Sequence, residues 1–570
     1  MPTWPCLPWQ FNLQETAEMN SSDFNALLIS ACENDNVEMI EILLKKGNIF
    51  QNSHFEIDLM NGYEFKLDIH IKVDKTPLVI ACLNGASNVI RYLFNNYSET
   101  CNSVYWEAFA AAIKQGNILL IDLLIDLGGD INIIEPESQR NLLMVASIFG
   151  NIEVIRHVFN KGNFDINAMD ASGKCALYCS LMTSNNVEIV KFLIEKGANY
   201  KSQTLFYPIQ MACFFRNVAL FDFLIEIGAE IVDVNSDFRN LLHVACNSGS
   251  LEIVKRLIER HGFNANVLNT FKATPLHYTV QDTNPSLSGC LFKDFPKLIS
   301  FNEKTDDECI AIAQYLLDNG ADICASDDYQ NTAISETGLY NREKVFDYFV
   351  DYYKTVLNKP LALENHKNIL ISIAKNGSNL EFLDKVLDKG ANVNWLDIFG
   401  FSALMGACSS GNYEMCSRLI ELGADINALD DCKYSALHYL CKKGDDNVDI
   451  LRLLLQNGAD IYSTTNDDHN ALHLAARSVS LKIVKELLHI GIDPNLLNTK
   501  FETPLHSVLS YWQTGNEIDV LEVVKILVEA GTRIDAENYD GETPLTAAKC
   551  LKFRKVARYF KKEFNKKVPK

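Results

Sequence analysis

The stretch Phe401–Asp430, FSALMGACSSGNYEMCSRLIELGADINALD, limits what this chain can fold into more than any other, because versions of it recur along the sequence. Ser402 can cap a helix, and Leu404, Ala407 and Cys408 fall at helical spacing until Ser409-Ser410-Gly411 breaks it. A second run, with Met415, Cys416, Leu419 and Ile420 at three- and four-residue steps, stops at Gly423, where positive φ is least costly. One unit is thus two short antiparallel helices and a turn. A pair this small cannot bury its apolar face alone, so it needs a similar pair on each side.

The chain supplies them. Units begin near Asp23, Asp74, Val104, Ser138, Ser172, Gln203, Asp237, Phe271, Tyr329, His366, Phe399, Lys433, Asp468, Phe501 and Tyr539, which makes fifteen. Thr274-Pro275-Leu276-His277 and Thr503-Pro504-Leu505-His506 open two of them, and Thr76-Pro77-Leu78 and Thr543-Pro544-Leu545 carry most of the same motif. The other half of the pattern, Gly-Ala-Asp/Asn, closes units at Gly197, Gly320, Gly390, Gly423 and Gly458. With these halves alternating in phase, the chain resembles the ankyrin-repeat family over about residues 22–563. The fold expected is an all-α repeat solenoid of stacked helix-turn-helix units with short β-turn fingers.

The expected organisation is a capping segment over 1–21, repeats one to nine over 22–355, repeats ten to fifteen over 362–563 and a basic tail over 564–570. Trp4, Trp9 and Phe11 in the first segment either cover the end of the stack or dock a partner. Between Gly47 and Asp74 the apolar period drops to two around Asn61-Gly62, which predicts an extended β-hairpin near 54–73. An insertion at about 282–308 separates the two helices of the eighth unit and is read as a packed loop or a binding loop. Residues 549–570 hold ten Lys/Arg against Glu563 alone, which suits a charged cap, nuclear import or an acidic partner.

Cys32, Cys82, Cys213, Cys246 and Cys408 occupy one repeat position after alanine, with Cys441 equivalent. Copies one unit apart should lie about ten ångströms from each other, too far for a disulfide, so reduced thiols and an intracellular setting, cytoplasmic or nuclear, are expected. His243, His277, His438, His473 and His506 likewise share one position, which argues for internal bonding and against a metal site. No phosphate loop or hydrolase motif stands in a supporting context, so no enzyme, cofactor or small-molecule substrate is expected. The net charge of −21 argues against general nucleic-acid binding and favours partners with basic surfaces. No run of residues is apolar enough to predict a membrane span, and no secretory signal is read at the start.

The resemblance implies a concave face, lined by first helices and turns, that binds other proteins as a scaffold or adaptor. The alternative is a substrate-receptor or targeting subunit of a ubiquitin ligase or another enzyme complex. Residues the repeat does not need mark the candidate site: Trp395, Phe399, Phe401 and Tyr434, with Phe238, Phe271, Tyr329, Phe501 and Tyr539 in corresponding turns. The resemblance further implies asparagine hydroxylation in these turns, best fitted by Asn394 and then Asn427. Peptides from the source cells should then carry the mass of one added oxygen at either residue.

Overall fold

Among the described residues of the computed structural model there are fifteen pairs of helices, one for each expected unit, from Ser21–Glu33 with Val37–Lys46 to Pro544–Cys550 with Arg554–Lys567. The structure describes residues 21–46, 56–58, 72–74, 76–102, 104–183, 186–200, 208–229, 240–282, 304–356, 366, 368–377, 379–444, 447–510 and 517–567. They divide into two compact units, one running to Arg256 and the other from Leu257 onward. Within each, first helices pack on neighbouring first helices and second helices on second helices. The capping segment, the bulk of the 282–308 insertion and Phe238 lie outside the described residues.

Local chemistry sets each helix. Thr76 accepts from the Val79 amide ahead of Pro77, and Ser402 and Ser435 do the same for Met405 and His438. Second helices start on asparagine: Asn117, Asn151, Asn186, Asn217, Asn379, Asn412 and Asn447 each accept an amide of the first turn. A left-handed residue closes the first helix, as in Gly411 at φ 73° and Gly444 at φ 87°, but Val479 takes that role at φ 59°. Buried faces then do the stabilising, with Leu404, Met405, Ala407, Met415, Cys416 and Leu419 all at 1% exposure or less in the eleventh repeat.

The repeat histidines join neighbouring pairs. In the Thr274 pair, the Thr274 amide donates to His277 Nδ1 at 3.1 Å, and His277 Nε2–H donates to the Asn331 carbonyl of the next pair at 3.0 Å. His473 and His506 reach Glu502 O and Glu542 O in the same way, at 3.0 and 3.2 Å. Both ring nitrogens are used by neutral imidazole, and burial holds His277, His438, His473 and His506 below the ordinary histidine value, His473 at about 4.

Two irregular places are held by specific contacts. Gly338 lies so close to the helix Asn368–Asn376 that a Cβ there would sit 2.8 Å from Ile369 O and Ile373 Cγ1. Where the eighth pair is interrupted, Arg342 binds both ends of the insertion, donating to Asp282 at 2.8 Å, Lys304 O at 2.7 Å and Asp306 at 3.0 Å. Lys304, 1% exposed, donates to Tyr278 O, and Gln281 donates to buried Glu336, whose carboxyl burial pushes up to about 8.

The expected hairpin has an antiparallel base, Glu56–Asp58 on Lys72–Asp74, with residues 59–71 outside the described set. Its register differs from the one an Asn61-Gly62 two-residue turn would impose. That turn would set Lys66 opposite Ile57, whereas Val73 stands there.

Two stability outcomes follow. Val479→Gly should raise stability by ~1 kcal/mol in urea denaturation, because a β-branched residue is strained at positive φ; a loss would mean that Val479 packing outweighs the strain. Stability should also fall as pH drops from 6.5 towards about 4, because the unfolded histidines take up protons that the folded ones refuse. Glu336 works in the opposite direction over its own range, since its folded carboxyl keeps a proton that the unfolded one loses. A urea midpoint that is flat from pH 7 to 4, or unaltered in its pH dependence by His473→Gln, would contradict this.

Candidate protein-interaction surface

The turn that joins one helix pair to the next is a short finger with the same construction in repeat after repeat. At its base an Asp or Asn accepts amides two and four residues on through Oδ1: Asp397 from Phe399 and Phe401 at 2.9 and 2.8 Å, Asp430 from Cys432 and Tyr434 at 2.9 and 2.7 Å. Asn269, Asp327, Asn498 and Asn538 do likewise. The third residue after the base is left-handed, as in Gly400, Lys433 and Phe501. Adjacent tips are then bonded through backbone: Asp431 N to Phe399 O, Asn466 N to Cys432 O, Thr499 N to Asp467 O and Tyr539 N to Lys500 O, all at 2.8–3.0 Å.

This geometry sorts the candidate aromatics by their distance from the base residue. Two places on, Phe271, Tyr329 and Phe399 are about half exposed at the tip. Phe501 and Tyr539, three and one places on, are also exposed and stack on each other with centroids 6.4 Å apart and planes 5° from parallel. Four places on, the side chain returns to the first-helix layer. Phe401 is therefore only 9% exposed, packing edge-on against Tyr439 at 4.9 Å, where an exposed turn position was expected. Tyr434 is half-buried beside Tyr439 at 5.4 Å, and Trp395 is half-buried before its base residue.

Asn394 and Asn427 serve as links. Asn394 Nδ2 donates to Gly423 O at 3.0 Å, and its Oδ1 accepts from Asp425 N at 2.7 Å. Asn427 bonds Gly458 O and Asp460 N in the same manner, as Asn266 and Asn495 do with Gly320/Asp322 and Gly531/Arg533. Both ends of each amide are thus spent on the next unit.

Two features were not anticipated from the sequence. The residue before the base is apolar and exposed in Met169 of the first compact unit and in Leu268, Leu396, Leu429 and Leu497 of the second, as is Ile134 before Glu135. Its signal was present as a leucine repeated at one finger position. The second is a set of cations over rings: Lys375 Nζ is 4.3 Å from the Phe401 centroid, and Lys442 Nζ is 5.1 and 5.9 Å from those of Tyr434 and Tyr439. Burial lowers Lys375 from its ordinary value while Asp397 acts in the other direction. Tyr434, Lys442, Lys443, Gly444, Leu474, Arg477 and Ser478 line a cleft of about 490 Å³ beside these rings.

The description "Ankyrin repeats (3 copies)" matches residues 9–105, 108–204, 209–291, 340–430, 422–498 and 472–569, so the chain belongs to the ankyrin-repeat family. It is 25% identical over 292 residues to human transient receptor potential cation channel subfamily A member 1, covering 45% of this chain and 26% of that protein. Ankyrin repeat and KH domain-containing protein mask-1 of Caenorhabditis elegans is 27% identical over 31% of this chain and 7% of its own length. Phosphocholine transferase AnkX of Legionella pneumophila is 23% identical over 39% of this chain and 22% of its own length. The chain spans about a quarter or less of each of these relatives. Repeats of this family mediate protein–protein interaction. Among the described residues no helix is long and apolar enough to cross a membrane.

Replacing Asn394 with Ala should cost ~1 kcal/mol in urea denaturation, from two exposed inter-repeat bonds. Asn394→Asp should cost less, because one oxygen still accepts the Asp425 amide. Equal losses would place the effect elsewhere than in these two bonds.

Proposed function

We propose that this protein is a non-enzymatic scaffold or adaptor that binds partner proteins through its fingers and the face of its first helices. The observation that carries this reading is the exposed apolar row on the fingers: Leu268, Phe271, Tyr329, Leu396, Phe399, Leu429, Leu497, Phe501 and Tyr539. Apart from the Phe501–Tyr539 pair these side chains are not needed to join the tips, which are bonded by backbone, and exposed apolar side chains grouped in this way favour an interaction surface. Phe399 flanked by Leu396 and Ile398 gives the aromatic centre that binding hot spots favour. The net charge of −21 adds long-range attraction for partners with basic surfaces.

The test is capture of partners from the source cells by the intact chain, by Leu396→Ser/Phe399→Ser and by Leu119→Ser. Leu119 is 81% exposed on a second helix, away from the fingers, so its variant should behave as the intact chain does. The finger variant should lose at least ~10-fold in captured partner, the scale of a hot-spot loss, while its circular dichroism is unchanged. Equal capture by all three would remove the fingers from the binding surface.

A further inference from the structure

Two residues before the left-handed residue that closes each first helix, the tenth, twelfth and thirteenth repeats carry Lys375, Lys442 and Arg477, and the eleventh carries Ser409. Elsewhere among described repeats that place holds a cation once, at Lys114, and otherwise Glu33, Leu83, Ile148, Phe214, Asn247, Leu339 or Cys550. The repeat itself therefore has no need of positive charge there.

Helix C-termini attract lysine by their dipole, and Lys443 follows that habit by donating to Ser410 O. Lys375 and Lys442 behave differently: their ammonium groups lie over Phe401, Tyr434 and Tyr439, and neither forms an ion pair among the described residues. Two of the carboxylates nearby accept hydrogen bonds, and all three keep their charge. Asp430 takes Tyr439 Oη–H at 2.6 Å as well as two amides, Asp397 takes two amides, and Asp467 adds its charge from the neighbouring finger. The cleft of about 490 Å³ beside Lys442 and Arg477 has Leu474 and Tyr434 on its walls, a size that receives side chains of a bound segment. On a chain of net charge −21, this strip gathers the cations Lys375, Lys442, Lys443 and Arg477 beside aromatic rings, with Asp397, Asp430 and Asp467 nearby.

We propose that this strip, from Lys375 across Phe401, Tyr439 and Tyr434 to Lys442 and Arg477, binds an extended acidic peptide segment, carried by a partner whose remaining surface is basic. The inference rests on the protein-binding reading above and adds the chemistry of one partner. First helices stack about 10 Å apart, and an extended chain advances about 3.3 Å per residue, so one repeat corresponds to about three peptide residues. Lys442 and Arg477 are one repeat apart and Lys375 is two repeats before Lys442, which spaces the facing carboxylates at about i, i+6 and i+9. An apolar residue next to the last two would enter the cleft over Leu474.

The experiment selects displayed random 16-residue peptides on the immobilised full chain at low salt, then measures the selected peptide on Lys442→Gln/Arg477→Gln. The expected result is enrichment of Asp/Glu at about that spacing, with affinity reduced at least tenfold in the double variant and unchanged in Lys549→Gln/Arg558→Gln. Neutral or basic consensus sequences, or acidic ones bound equally by the double variant, would overturn the proposal. So would a single-stranded RNA homopolymer that displaces the selected peptide at lower concentration. The scaffold reading is judged separately, by partner capture with the Leu396→Ser/Phe399→Ser variant, so either can fail without the other.

Discussion

Everything in this protein depends on bonds between one helix pair and the next, since no pair buries its apolar face alone. Three recurring connections supply them. Fingertip amides bond to carbonyls of the preceding tip, histidine Nε2–H groups donate to the carbonyl before the next helix, and asparagines such as Asn394 hold the next turn at two points. Each ends on a backbone atom, and the histidines are buried while the asparagines act at exposed turns. The fingertip side chains are left over from that construction, which lets the surface vary while the stack remains.

A division of labour follows within each finger. The Asx base and the left-handed third residue fix the turn, so its backbone path does not depend on the side chains one, two and three places on. The side chain four places on is returned to the first-helix layer. That one rule separates Phe399 at the tip from Phe401, two residues away, which packs on Tyr439 beneath Lys375. The tips offer apolar area; the layer beneath offers cations set on rings. Exposed apolar area and ring-backed cations therefore lie on adjacent parts of the repeat.

The fifteen pairs were legible because helix periodicity, caps and terminating glycines recur in phase, and each is a local property of the chain. The histidine role was legible in kind, as internal bonding, because five copies at one position cannot converge. What escaped was anything set by direction or by partners distant in sequence. Phe399 and Phe401 look alike in NWLDIFGF, and only the amides accepted by Asp397 decide which one turns inward. Arg342 joins Asp282 across 60 residues, which no window of sequence reveals. The strand pair at 56–58 and 72–74 shows the same limit, because Asn-Gly suggests a turn without fixing the register beyond it.

Hydrogen exchange of the native chain, resolved to single amides, tests the backbone stitching most directly. The amides of Asp431, Asn466, Thr499 and Tyr539 sit at exposed tips yet donate to the preceding finger, so they should exchange far more slowly than an unbonded tip amide. Slow exchange at all four, retained in Leu396→Ser/Phe399→Ser, is the expected result. Exchange at these amides as fast as in an unstructured peptide would mean that the fingers are not joined, and that their side chains carry part of the stack.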